Sequence, residues 1–433
     1  MARDTVMVAA ASIVVALAVI FRERVIASRF GIGDVTDAFA LASAIVIFLA
    51  TVFGGSLALS LIPALIRVEI DSGQVAAEDL CRAVLARLLL GMVIVATVMY
   101  VFLEPIISVF GNSFSAEKQR LTRTLLVVML PLLPLSGWAA YAAALLNARR
   151  RFLFSTMAPA VIPIAVVFAL QVTSTPYALA SGLLLGYLLQ CLMLALVLKQ
   201  EASWLIPKWK TQRSDLSPVW RQYLPVTIGA AFMGSTVVTD QVMAGWLAPG
   251  SVATLAFASV LVNYLNAFGG RALGAPALSH FSKLTARKQW AEASRLLRQA
   301  LLIIGGIAFG LTVVIWSFSD WFVAQLFERG AFTSLDTARV AEVQKYFALQ
   351  LIFQFVGVLL VRMLSALEKN RVILAVATFN FFANIFLNYV LMKFLGVAGI
   401  ALSTSIVLCV SALLCGAAVW RSLNASTHGK RRL

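Results

Sequence analysis

Apolar segments of about 20 residues, the length a helix needs to cross the hydrocarbon of a bilayer, recur from one end of this 433-residue chain to the other. Twelve begin near Thr5, Thr36, Cys81, Leu121, Leu153, Tyr177, Val219, Val252, Ser294, Ala341, Val372 and Val397. Only 12% of the residues are charged and 61% are hydrophobic, against about 25% charged in soluble domains. The expected fold is an all-α integral membrane protein with twelve transmembrane helices in two pseudo-symmetric six-helix lobes around a central cleft. The domain plan expected is 1–200 for the first lobe, 201–218 for a cytoplasmic interfacial linker and 219–433 for the second lobe.

The formal charge is +16, yet the basic residues fall in short clusters between apolar segments and form no single stripe. That pattern argues against nucleic acid and points to topology. With the N-terminus inside, the inner segments carry several-fold more Lys and Arg than the outer loops, so both termini are expected in the cytoplasm. The linker QEASWLIPKWKTQRSDLSP mixes Trp204 and Trp209 with Lys208, Lys210 and Arg213, a composition suited to an anionic membrane surface. Cys81, Cys191, Cys409 and Cys415 form no C-x-x-C pair, and His280 and His428 have no metal-ligand company. Neither a disulfide, a metal nor a cofactor is expected. No phosphate-binding glycine loop and no hydrolytic constellation is present, so an enzyme is not expected.

The halves resemble each other. AEDLCRAVLARLLLG (77–91) aligns with AEASRLLRQALLIIG (291–305), FGGSLALSLIPAL from Phe53 with FGGRALGAPAL from Phe268, and ALLNARR (144–150) with SALEKNR (365–371). The pairs lie roughly 214 to 221 residues apart and keep one order, the signature of an internal repeat. Six helices per copy make it a parallel repeat, a geometry suited to alternating access.

The most pointed feature is charge inside a span. The run TVMVAAASIVVALAVI continues into Phe21 and then Arg22, Glu23 and Arg24. ERVIASRFGIG (23–33) also aligns with DQVMAGWLAPG (240–250), so an acid recurs as Glu23 and Asp240. A charge facing lipid at mid-bilayer costs about 3 kcal/mol on insertion scales, whereas an aqueous cleft removes most of that cost. Arginine's planar fork binds phosphate oxygens bidentately. Arg22, Glu23, Arg24, Asp37 and Asp240 are therefore the expected substrate-binding set. The arginines would grip phosphate, and the acids would hold them or take up H+ or Na+ as coupling ion. Arg271 in FGGRALG is a further candidate, with cleft lining and interface anchoring both open. Snorkelling of Arg22 and Arg24 to the outer headgroups is the alternative arrangement.

FRERVIASRFGIGDVTDAF (21–39) resembles the opening of the MurJ/MviN family of lipid II flippases. That family has an Arg-Asp pair in helix one, a Phe-Gly turn and a Thr-Asp-Ala-Phe start to helix two. The matching positions are Arg22-Glu23, Phe30-Gly31 and Thr36-Asp37-Ala38-Phe39. LFERGAFTSLDT (326–337) and LLNARRRF (145–152) resemble two further family segments. The resemblance implies the multidrug/oligosaccharidyl-lipid/polysaccharide exporter fold, working by alternating access on an undecaprenyl-pyrophosphate-linked saccharide at the bacterial inner membrane. It also implies functional roles for Arg22, Glu23 and Asp37. The family's basic residues in helix two correspond here to Ala50 and Thr51, and its helix-eight arginine falls near Val260. The chain is also expected to stop after twelve helices, where lipid II flippases add two. These departures favour a polysaccharide repeat unit as substrate, with lipid II next. The expected partners are the lipid-linked saccharide and membrane lipids, acting on a monomer. Rival readings are a cation-coupled multidrug exporter of the same fold and a non-transporting scaffold.

Overall fold

The computed structural model describes the backbone of residues 2–111, 113–209 and 216–428, and within these the side chains of 2–6, 271, 272, 275, 276 and 424–428 lie outside the description. Every regular element among the described residues is helical. The chain divides into two compact units, Met1–Gly250 and Ser251–Leu433.

The first unit contains α1 (Ala2–Phe30), α2 (Asp34–Ala50), α3 (Ser56–Val101), α4 (Leu103–Phe110), α5 (Ala116–Met129), α6 (Leu132–Ala148), α7 (Phe152–Met157), α8 (Val161–Val172), α9 (Tyr177–Val197) and α10 (Ser217–Ala244). The second contains α11 (Ser251–Ala286), α12 (Trp290–Ser317), α13 (Ser319–Phe327), α14 (Ser334–Ala348), α15 (Gln350–Ala366), α16 (Asn370–Leu395) and α17 (Val397–His428).

Among the described residues, nine helical segments are long and apolar enough to cross a membrane. The second and third segments expected from the sequence fall within one of them, Asp34–Val101, where α2 runs into α3 through a π-helical turn at Thr51–Gly55. The segments expected near Thr5 and Val219 lie in α1 and α10, of 29 and 28 residues, which are not among the nine. Gly73 breaks α3 with φ of 83°, a left-handed value that glycine adopts without steric cost.

Small residues let the helices approach closely. In α9, Gly182 and Gly186 face α8, and a Cβ at either would stand 2.8 Å from the Val166 Cα or 2.7 Å from the Ile162 Cα. This is the small-xxx-small packing of membrane helices, where close backbone approach replaces the missing hydrophobic drive. Another cluster joins α3, α6 and α10 through Leu61, Leu65, Leu80, Leu85, Tyr141 and Tyr223. Its polar tips are satisfied: the Tyr141 hydroxyl donates to the Trp204 carbonyl and the Tyr223 hydroxyl to that of Phe53, each at 2.8 Å.

Each unit carries the same tight turn after its matching helix. In the first, Arg150 has φ of 60° and its N–H bonds the Asn147 carbonyl, while the Arg151 N–H bonds that of Leu146. In the second, Glu368 has φ of 58°, and the N–H groups of Glu368 and Lys369 bond the carbonyls of Ser365 and Leu364. The backbone thus pairs Asn147 with Ser365, whereas aligning ALLNARR with SALEKNR letter by letter pairs Asn147 with Glu368. Turn geometry is decided by the helix end, and the side chains around it are free to drift.

Candidate functional site

One end of the first unit is closed by hydrogen bonds centred on the α1–α2 turn. Thr36 seals the turn: its hydroxyl accepts from the Gly33 N–H at 3.0 Å and lies 3.0 Å from the Gly31 carbonyl. The next residue, Asp37, is 1% exposed, and its Oδ2 accepts from Lys118 Nζ at 2.5 Å and from the Gly250 N–H at 2.6 Å. Lys118 is itself 3% exposed, reaches Asp34 at 3.0 Å, and lies 4.0 Å from the Phe114 ring centroid. Ala38 and Phe39 are buried beneath. The Thr-Asp-Ala-Phe sequence is therefore a turn lock, a buried carboxylate and two core residues in succession.

The loop after α10 is drawn into the same assembly. The Ser113 hydroxyl donates to the Gly245 carbonyl, and Trp246 Nε1 donates to that of Val109 at 3.1 Å. Gly250 has φ of 88°, and a Cβ there would stand 2.6 Å from Ile32 Cγ2. Asp34, Ser113, Phe114, Ser115, Lys118 and Leu247 line a shallow cavity of about 280 Å³ beside it, together with Pro249. Lys118 carries no motif in the sequence. A lysine three residues after an N-capping serine reads as an ordinary loop cation, and only its burial against two aspartates marks it.

The second unit has a counterpart with different chemistry. Thr333 caps α14, bonding the Asp336 N–H while Asp336 bonds back to the Thr333 N–H, a reciprocal capping box. Thr337 donates to Glu328 at 2.7 Å. Phe327 and Phe332 stack about Phe257, with centroids 5.2 and 5.7 Å from it. The segment LFERGAFTSLDT is thus a helix cap on an aromatic cluster.

The charges of α1 lie before this closed end. The Arg22 guanidinium forks onto the neighbouring Glu23 carboxylate, both side chains being about one-sixth exposed. Arg24 is half-buried and has no hydrogen bond or ion pair with a described residue. Asp240, near the end of α10, is 7% exposed. Asp37 is held by Lys118 of α5, a residue outside the expected set. Arg271 belongs to α11, and its side chain lies outside the described residues.

The opposite end of the unit is basic and aromatic. Arg149 bonds Glu69 at 2.7 Å and lies 5.0 Å from the Trp204 ring, Lys208 bonds Asp79 at 2.8 Å, and Arg82 bonds Glu78 at 3.3 Å and the Ile206 carbonyl at 3.0 Å. Ile206 and Trp209 are left more than half exposed.

Long apolar helices in succession define a polytopic membrane protein of the all-helical class, and solved structures share its fold. The lipid II flippase MurJ in an inward closed conformation matches with a TM-score of 0.82 at 21% identity, covering 97% of this chain and 90% of that one. An inward-facing multidrug resistance MATE family transporter of the MOP superfamily matches with a TM-score of 0.79 at 13% identity, covering 97% and 99%.

The family model of lipid II flippase MurJ matches residues 26–430, and the chain belongs to that family. It is 27% identical over 405 residues to a probable lipid II flippase MurJ of Synechocystis, covering 89% of this chain and 75% of the relative. It is 24% identical over 409 residues to lipid II flippase MurJ of Burkholderia cenocepacia, covering 91% and 78%.

Proposed function

We propose that this protein flips an undecaprenyl-pyrophosphate-linked saccharide across the bacterial inner membrane by alternating access, and that lipid II is the first substrate to test. The observation that carries the reading is Arg24: a half-buried guanidinium in a membrane-length helix, with no partner among the described residues, beside an Arg22–Glu23 pair. An arginine held there without a carboxylate is costly unless an anion comes to it. Pyrophosphate matches its bidentate fork. The lipid II flippase names of the relatives supply the saccharide.

In this reading α1 to α9 and α10 to α17 form twelve spanning helices in two six-helix lobes, 1–200 and 219–433, with 201–218 as linker. The unit division at Gly250 then reflects α10 docking on α2 and α3. The basic, aromatic end faces the cytoplasm by the positive-inside rule, with both termini there, and the Asp37–Lys118 end faces outward. Arg22 and Arg24 bind the pyrophosphate. Glu23 and Asp240 hold the arginines between cycles or take up H+ or Na+, Arg271 supplies a second basic contact, and the working form is a monomer. Asp37 closes the outer end through Lys118.

The polysaccharide repeat unit is the second substrate, favoured by Ala50 and Thr51 standing where the family carries basic residues. The multidrug reading is disfavoured because a paired-arginine turn repels cationic drugs. The test is complementation of cells depleted of their lipid II flippase, followed by growth and accumulation of lipid-linked precursor. Rescue by the native chain, lost in Arg24→Ala at equal protein level, supports the lipid II reading. Absence of rescue, together with restored glycan export in a strain lacking a polysaccharide-unit flippase, moves the substrate to the second class. Full rescue by Arg22→Ala/Arg24→Ala overturns the site.

A further inference from the structure

We propose that the first unit carries a second phosphate site, at the basic end between α3 and the start of α10, which takes the headgroup of an anionic lipid. A cavity of about 680 Å³ opens there, lined by Arg67 of α3 and by Ser217, Pro218, Arg221, Gln222 and Pro225 of α10, with Val226 at its margin. Its polar lining among the described residues consists of two guanidinium groups, a hydroxyl and an amide, with no carboxylate among them. The volume falls in the range of small-molecule sites and accommodates a phosphodiester or pyrophosphate with its first glycerol or sugar.

Among the described cations of this end that have no acidic partner, Arg67 and Arg221 are the two that line this cavity. Three other cations at this end each have an acidic partner: Arg82 with Glu78, Arg149 with Glu69, and Lys208 with Asp79. Arg67 and Arg221 have no ion pair or hydrogen bond with a described residue. Two like charges that line one cavity repel each other, and a bound anion removes that repulsion while using both forks. The same basic end carries side chains suited to a membrane surface. Trp209 and Ile206 are exposed there, indole and aliphatic side chains being favoured at the membrane interface, and basic pockets between membrane helices on the cytoplasmic side are headgroup sites as a class.

The phosphate has two sources in a bacterial membrane, a bilayer phospholipid or a pyrophosphate-linked polyprenol waiting to be moved. The site is separate from Arg22 and Arg24 and does not depend on their role. The test uses the purified full-length protein in nanodiscs of phosphatidylcholine doped with either phosphatidylglycerol or undecaprenyl pyrophosphate. Retained lipid is counted by native mass spectrometry for the native chain, Arg67→Gln/Arg221→Gln, and the charge-conserving Arg67→Lys/Arg221→Lys.

A tenfold or greater loss of retention in the glutamine variant, with partial recovery in the lysine variant and an unchanged unfolding temperature without added lipid, supports the site. Loss confined to phosphatidylglycerol assigns it to bilayer lipid, and loss confined to undecaprenyl pyrophosphate assigns it to the carried lipid. The same loss measured in the Arg22→Ala/Arg24→Ala background keeps the two sites distinct. Retention of both lipids within twofold in the glutamine variant overturns the proposal.

Discussion

Replacing Lys118 with Met is the most informative single change. The Lys118 ammonium and the Asp37 carboxylate are 3% and 1% exposed and 2.5 Å apart. Methionine keeps the length and the packing against Phe114 but takes the ammonium away from a buried carboxylate that keeps the Gly250 N–H and the first turn of α2. Removing one partner of a buried pair costs about 3–5 kcal/mol. The Gly250 hydrogen bond and the helix dipole, each worth about 1 kcal/mol, place the expected loss near the bottom of that range, about 3 kcal/mol. For a unit of this size that is a fall of about 6–12 °C in the unfolding midpoint.

Asp37→Asn retains a hydrogen-bonding side chain but strands the ammonium, with the exposed Asp34 as its remaining partner, so a loss of about 2–3 kcal/mol is expected. The pair is isosterically neutral in Asp37→Asn/Lys118→Met, which should lose less than the sum of the two. Thermal unfolding of the four proteins in one detergent closes the cycle. A coupling energy of at least about 1.5 kcal/mol is expected, above the usual additivity error of about 0.5 kcal/mol. Additive losses, or a Lys118→Met protein within about 1 kcal/mol of the native chain, would refute the claim that this pair closes the outer end.

Three other outcomes are expected. Arg24→Ala should abolish complementation at unchanged protein level, while Arg29→Ala, which loses only contacts with Gln171 and Ser174 at an exposed turn, should leave it within twofold. Gly250→Ala combines a left-handed φ with a clash on Ile32 and should destabilise by about 1–3 kcal/mol. Ile32→Ala in the same chain should recover part of this, read as a partial return of the unfolding midpoint. Gly186→Val forces α9 away from Ile162 of α8 and should lower the unfolding midpoint by several degrees, the overpacking cost being about 1–3 kcal/mol, with Gly91→Val, which meets no neighbouring atom, as the silent control.

Much of this molecule could be read along the chain, because its governing signals are local. A helix that must satisfy its backbone in lipid needs about 20 apolar residues in succession, so the all-helical membrane class and the charged turn at Arg22 to Arg24 follow from composition within a short window. The family segments also lie within single stretches, each closing one turn: Thr36 locks its own loop, and Thr333 and Asp336 cap their own helix.

What folding alone decided is which distant charges meet. Asp37 and Lys118 are 81 residues apart, and Lys118 has the sequence surroundings of a solvated loop cation. Its burial depends on two turns and the Gly250 loop converging at one end of the unit. In the same way α3 and α10 bring Arg67 and Arg221 to one cavity, while Glu78, Glu69 and Asp79 are held by Arg82, Arg149 and Lys208. Apolar periodicity records only whether a residue sits in a helix. The partner of a charge is set by the three-dimensional approach of elements that share no local pattern, because electrostatic attraction acts across space and leaves no mark on the order of residues.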